Sequence, residues 1–185
     1  TINTINFRFK SNSENLAATS KAGDIYINNI AIVDEIPTFP LDFSNSVEGF
    51  ITSSPDTITA GSNYATYNIS GQSAYPNLKN SAANINTSDG DYIALTIQNN
   101  TDNALLQIIL NNNNIPASRA TVNISSNDSN FVTYYVDMSD ITNWTGTINT
   151  INFRFKSNSE NLAATSKAGD IYINNIAIVD EIPTF

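Results

Sequence analysis

Residues 1–39 of this chain recur, letter for letter, as residues 147–185. Identity over such a stretch is not accidental, and a period of 146 residues matches one ordinary domain. The repeating unit is therefore 40–185, and 1–39 reads as the closing strands of an identical unit before it. The chain then holds one body, 40–146, and two copies of the tail that closes it. One body has room for one tail. A surplus segment two strands long is marginal in water by itself, so it is expected to pack against another body. That body lies either upstream in a tandem array or in a neighbouring copy that accepts the tail by strand donation or domain swapping. In an exchange, Ile5, Phe7, Phe9, Ile25, Ile27, Ile30 and Ile32 are the side chains that fill the partner's core. Pro37 and Pro40 each fix φ and make the joint between units stiff.

The chain contains neither cysteine nor histidine. Thiolate nucleophiles, imidazole bases, Ser-His-Asp triads and Cys/His zinc sites are thereby excluded. Eight basic residues against seventeen acidic ones leave a net charge of -9 and no positive stripe for a phosphate backbone, so nucleic acid is not an expected partner. No apolar run approaches the roughly 20 residues a spanning helix needs, and membrane insertion is not expected. A carboxylate pair could in principle serve a glycosidase. Asp89 and Asp91, and Asp137 and Asp140, sit instead in turn-like contexts where aspartate binds its own backbone. No enzymatic activity is expected. The lysines read as exposed, which disfavours Lys–Asn isopeptide crosslinks.

Thirty asparagines, with abundant Thr, Ser and Ile, suit short strands joined by turns. Ile151, Phe153 and Phe155 alternate with Asn152, Arg154 and Lys156, the period of a strand with one wet face. Across 170–178 the inward parity shifts between Ile173 and Ile176, which a β-bulge at Asn174 or Asn175 would reconcile. Ile93, Leu95 and Ile97 face inward with Tyr92, Ala94 and Thr96 outward, and Val122 and Ile124 mark a further strand. The segments 105–110 and 131–136 are apolar on both parities and are expected to be central strands covered on each side. Turn residues punctuate 87–90, 99–103 and 111–116. The whole predicts an all-β, antiparallel, jelly-roll-like β-sandwich.

Three segments carry a resemblance. Asp42-Phe43 leading to Gly49-Phe50, Trp144-Thr145-Gly146 running into Ile151-Asn152-Phe153, and the closing Gly169-Asp170-Ile171-Tyr172-Ile173-Asn174-Asn175-Ile176 resemble the jelly-roll carbohydrate-binding modules of bacterial secreted enzymes and surface proteins. The resemblance implies a structural calcium held by acidic groups of the first and last strands, here Asp42 and Asp170, although Asn174 stands where that family commonly has Asp. No other cofactor is expected. Sugar binding would need exposed aromatic platforms with amide and carboxylate partners. Strand parity offers Tyr64, Tyr92, Tyr134 and Tyr172, as a glycan platform or as packing between domains or chains, and Trp144 reads as core-filling. Asn68, Asn86, Asn99, Asn123, Asn127 and Asn143 begin Asn-x-Ser/Thr sequons, candidates for glycosylation in a host with the machinery. The leading expectation is an extracellular or cell-surface structural protein, one unit of a tandem-repeat stalk, adhesin or filament whose partners are identical repeats. The competing one is a carbohydrate-binding module that tethers a cell or enzyme to polysaccharide.

Overall fold

Period-two runs of β-branched and aromatic residues, broken by Asn, Gly and Pro, become antiparallel strands. In the computed structural model, residues 40–72, 76–111, 118–157 and 166–182 are described. Residues 1–39, and with them the expected unit boundary and the seven apolar side chains expected to cross into a partner, lie outside the described residues. The strands are β1 (Leu41–Asp42), β2 (Ile51–Thr52), β3 (Thr57–Ala60), β4 (Ala65–Ile69), β5 (Leu78–Asn80), β6 (Ile85–Asn86), β7 (Tyr92–Asn100), β8 (Leu105–Leu110), β9 (Arg119–Asn123), β10 (Val132–Asp137), β11 (Thr147–Ile148), β12 (Ile151–Lys156) and β13 (Gly169–Val179). One sheet runs β10-β7-β13-β4-β3 with β1 also on β13, a second runs β2-β5-β12-β8-β9, and β6 pairs with β11. Every one of these strand pairs is antiparallel. The fold is an all-β antiparallel sandwich of jelly-roll type, as the periodicity predicts.

The two longest-range contributions come from the last 39 residues. β12 lies between β5 and β8, and β13 lies between β7 on one edge and β4 with β1 on the other. Ile151, Phe153 and Phe155 on β12 and Ile171, Ile173 and Ile176 on β13 all point into the space between the sheets and are fully buried. The expected bulge is present. The register of β13 against β7 shifts between Ile173 and Asn175, so that Ile173 faces Ile97 and Ile176 faces Leu95, both inward. Without that extra residue one of the two isoleucines would point to solvent.

The two sheets differ on their outer faces. On β8 all six residues are buried, and the centre of the outward face of the five-stranded sheet is withdrawn from solvent, although Ile51 and Asn123 at its margins are exposed. Ile109 is 0 % exposed, and Asn152 and Gln107 are buried with it. Lys156 is only 2 % exposed, which corrects the expectation for that lysine, whereas Lys167 is exposed as expected. For β8, apolar residues on both parities do mean a strand covered on each side. For β10 they do not. β10 pairs with β7 alone and is an edge strand, with Val132, Tyr134 and Val136 opposite inward-facing Ile97, Leu95 and Ile93, while Thr133 and Tyr135 stay on the wet face. Its second apolar parity comes from aromatics that line an open face.

Asparagine fixes the turns by the chemistry of its amide. Asn45, Asn84, Asn111 and Asn127 adopt positive φ, where a short polar side chain is tolerated. Asn99 Nδ2 donates to Asn103 O and Ser125 O, both at 2.7 Å, while its Oδ1 accepts from Thr101 N and Oγ1. The β7–β8 connection is thus held by one side chain acting as a piece of backbone. Gly90 is required by a close approach, since a Cβ there would sit 2.3 Å from the Val179 carbonyl carbon. Beneath the sheet, buried Asp56 accepts from Tyr67 Oη at 3.1 Å and from Ser70 N and Oγ at 2.9 and 2.8 Å.

Phe50 sits at the centre of this core, 1 % exposed and with ring centroids 5.6 Å from Phe43 and 5.8 Å from Phe153. Phe50→Ala is expected to lower stability by about 3–5 kcal/mol in denaturant unfolding. Burial, followed by the charge and hydrogen bond of Asp56, pushes the Tyr67 phenol above its ordinary range. A raised folded pKa means that the folded chain keeps a proton which the unfolded chain loses above about pH 10. The stability from this site is therefore complete below that pH and falls as pH rises beyond it. An alkaline titration followed by tyrosinate absorbance and circular dichroism should show one phenol ionising only as the fold is lost, and Tyr67→Phe should abolish that component.

Candidate functional site

Strand alternation assigns the outer face of the six-stranded sheet residue by residue. Opposite pairs share a face, so Gln98 on β7, Tyr172 on β13 and Thr66 on β4 form one outward row, because Tyr172 pairs with both neighbours. One step toward the β7–β8 turn, Asn100, Asp170 and Asn68 form another. Phe131, just before β10, and Tyr64, just before β4, close in from the two sides. The Tyr64 ring lies 5.0 Å from Tyr172 and 5.7 Å from Phe131, with interplanar angles of 62° and 47°. Phe131 is 40 % exposed and the two tyrosines are half-buried. The result is a solvent-facing aromatic cluster with inclined walls.

Polar groups frame it. Asn68 Nδ2 donates to Asp170 Oδ1 at 2.7 Å, and the Thr96 and Thr133 hydroxyls meet at 2.8 Å. Beside Tyr64 a shallow cleft is lined by Asp42, Ser44, Asn63, Asn174 and Asn175. It exists because the bulge widens β13 where β4 gives way to β1. Asn174 Nδ2 donates to Asn63 O at 2.9 Å, and Asn175 Nδ2 to Leu41 O at 3.2 Å. Ser44, through its hydroxyl and then its backbone N–H, holds the Asp42 carboxyl below the usual carboxylate range. The cleft stays negative into mild acid. The described basic residues lie elsewhere. Lys79, Arg119, Arg154 and Lys156 belong to the outward rows of the other sheet, and Lys167 to the loop before β13.

Of the four tyrosines singled out by parity, Tyr64 and Tyr172 come together. Tyr92 is on the same face but opposite Val179, seven residues along β13 from Tyr172, roughly 20 Å away. Tyr134 is a correction: paired with Leu95 it faces inward, packs on the core and accepts a hydrogen bond from Ser125 N at 2.9 Å. Its direction is set by the partner register, since both parities of 131–136 carry apolar residues. Phe131, expected within a strand covered on both faces, instead lies just before the edge strand β10 and is exposed. Trp144 packs on the core and donates from Nε1 to Gly90 O at 3.2 Å.

Asp42 and Asp170 do not meet. Asp42 pairs with Asn175 and Asp170 with Asn68 and Asn100, five residues apart along β13 or roughly 15 Å. The expected calcium pair is therefore not assembled, and among the described residues no group of three or more Asp or Glu converges to hold a metal. The sequons separate by burial. Asn99 is 1 % exposed with both amide hydrogens engaged, so a glycan there would dismantle the turn. Asn68, Asn86, Asn123 and Asn127 are exposed, and Asn143, half-buried, donates from Nδ2 to Ser118 Oγ.

No known family profile matches the chain, and no curated protein is detectably similar in sequence. Solved structures do resemble it. The family 11 carbohydrate-binding module of the cellulosomal cellulase Lic26A-Cel5E of Clostridium thermocellum superposes with a TM-score of 0.53 at 16 % identity, covering 78 % of this chain and 95 % of that one. A family 28 module described as specific for non-crystalline cellulose gives 0.50 at 16 % identity, covering 81 % and 99 %. At such identities the likeness establishes a shared jelly-roll β-sandwich.

Proposed function

We propose that this protein is a non-catalytic carbohydrate-binding module that holds an uncharged, non-crystalline polysaccharide on the outer face of its six-stranded sheet. The observation that carries the reading is the exposed cluster of Tyr64, Tyr172 and Phe131 flanked by amides and carboxylates. Aromatic rings stack on the apolar faces of sugars while amide and carboxylate groups take their hydroxyls. Inclined rings suit a single twisted chain, whereas a crystalline surface would demand coplanar ones. Asp42 and Asp170 beside the cluster, with no described cation on that face, disfavour an anionic glycan. Catalysis has no support from the carboxylates. Asp137 is held by Ser139 N and Oγ, Asp170 by Asn68, and Asp102 by Asn127. Such a module acts outside the cell or at its surface. Among the described residues no helix is long and apolar enough to cross a membrane.

Affinity electrophoresis in neutral amorphous polysaccharide should retard the protein. Tyr172→Ala and Tyr64→Ala should each weaken retention about tenfold or more, while Tyr92→Ala should leave it unchanged. Equal loss from all three, or retention only by an anionic polymer, would overturn the assignment.

The repeated 39 residues favour a second, compatible reading. We infer that the sandwich is one unit of a serially joined stalk, adhesin or filament in which 40–185 is the repeat, with identical units as neighbours. Negative-stain images should then show beads at a regular axial spacing, whereas isolated compact particles would argue against it.

A further inference from the structure

Of the three rings in the exposed cluster, two are placed by strands. Tyr172 lies inside β13 between β4 and β7, and Phe131 directly precedes β10. Tyr64 has no such support. It ends the connection 61–64 between β3 and β4, one residue before the ladder opens at Ala65 opposite Ala60. The ends of this connection are fixed by backbone groups. Gly61 N donates to Tyr64 O at 2.9 Å, and Gly61 O accepts from Asn45 N at 2.7 Å. A Cβ on Gly61 would meet the Tyr64 carbonyl oxygen at 2.7 Å, so this closure requires glycine. The tip is held from β13, where Asn174 Nδ2 donates to Asn63 O at 2.9 Å, on the residue next to Tyr64.

Asn174 is available for that contact because of the bulge. In the register of β13 against β7, Ile173 faces Ile97 and Asn175 faces Thr96, so Asn174 is the extra residue with no partner opposite it. On the other edge, Ile173 is the last residue paired with β4, and Asn175 is the first paired with β1. Asn174 therefore sits at the join. Its carbonyl accepts from Phe43 N at 3.2 Å, which continues the pairing with β1, while its side chain crosses to the 61–64 connection. A carbonyl oxygen can be held only by a donor. The amide of asparagine supplies one at this reach, whereas an ionised aspartate of the same shape would set a second acceptor against it.

We propose that Asn174 is the positioning residue of the aromatic face: its amide holds the 61–64 connection so that the Tyr64 ring lies 5.0 Å from Tyr172 and 5.7 Å from Phe131. Rings held by a supporting hydrogen bond keep their geometry before a ligand arrives, and loss of that support loosens a site without removing any group that touches the ligand. For its effect on binding this rests on the polysaccharide reading, whereas the ring geometry is measured with no ligand present.

The test uses the full chain carrying Asn174→Ala or Asn174→Asp, each alone and together with Tyr64→Ala. In the ligand-free protein, NMR of labelled tyrosines should show ring-to-ring contacts between Tyr64 and Tyr172 in the wild type and their loss in both single variants. Thermal midpoints should fall by no more than about 4 °C, since one partly exposed hydrogen bond is removed. Affinity electrophoresis in neutral amorphous polysaccharide should show retention weakened about threefold or more. On the Tyr64→Ala background the same substitutions should change retention by less than about twofold, because the ring that Asn174 positions is gone. Ring contacts that survive both substitutions would overturn the assignment. So would a loss of retention as large without Tyr64 as with it, which would make Asn174 a direct ligand contact or a general support of the fold. If the wild type itself is not retained, the polysaccharide reading fails, and the ring contacts still decide whether Asn174 positions Tyr64.

Discussion

The backbone pairing of β12 and β13 with their neighbours holds every other part of this sandwich in place. Each is flanked on both edges, and each drives its apolar parity into the same interior. A strand in that position carries two ladders of hydrogen bonds and half of a packed layer at once, so its removal exposes apolar surface on both sides of the gap. Both strands belong to the last 39 residues, far in sequence from most of their partners. The contacts that close this fold are non-local, and loop-closure entropy must be met before they are made. The Asn99 clamp and the other asparagine turns reduce that cost by fixing the short connections in advance.

The bulge in β13 ties the core to the exposed face. It keeps Ile173 and Ile176 inside. It also marks where β13 changes partner from β4 to β1, and there Asn174 and Asn175 line the cleft beside Tyr64. A single extra residue therefore serves both packing and the shape of the candidate ligand face. The asymmetry between the sheets has a related consequence. In the five-stranded sheet β8 is buried on both faces, whereas the six-stranded sheet leaves aromatics, amides and carboxylates in water. The proposed polysaccharide site rests on this open face, where Tyr64, Tyr172 and Phe131 keep part of their apolar area in solvent.

Much of this was legible beforehand. The alternation in β12, the bulge in β13, the inward Ile93, Leu95 and Ile97, and the core placement of Trp144 all follow from local periodicity or from the rarity of the residue. The errors share one cause. Tyr134 and Lys156 were placed by their own strand's pattern or residue type, and both are determined by neighbours. Tyr134 takes its direction from its pairing with Leu95, and Lys156 is buried on a face whose cover no local pattern announces. Asp42 and Asp170 were joined by resemblance, and the pairing register sets them on different parts of β13.

By itself, the amino-acid order determined that the chain is all-β, that it excludes thiol, imidazole and zinc chemistry, and that one segment occurs twice. Those are properties of local pattern and inventory, and no partner is needed to read them. Only the tertiary structure decided that Tyr64, Tyr172 and Phe131 form one cluster, that β8 is covered on both faces while β10 is an open edge, and that residues 147–185 have the middle position in both sheets. Strand order and register bring residues more than a hundred positions apart into contact, as with Asn68 and Asp170. That information lies in pairwise complementarity between distant strands, which period-two alternation does not encode.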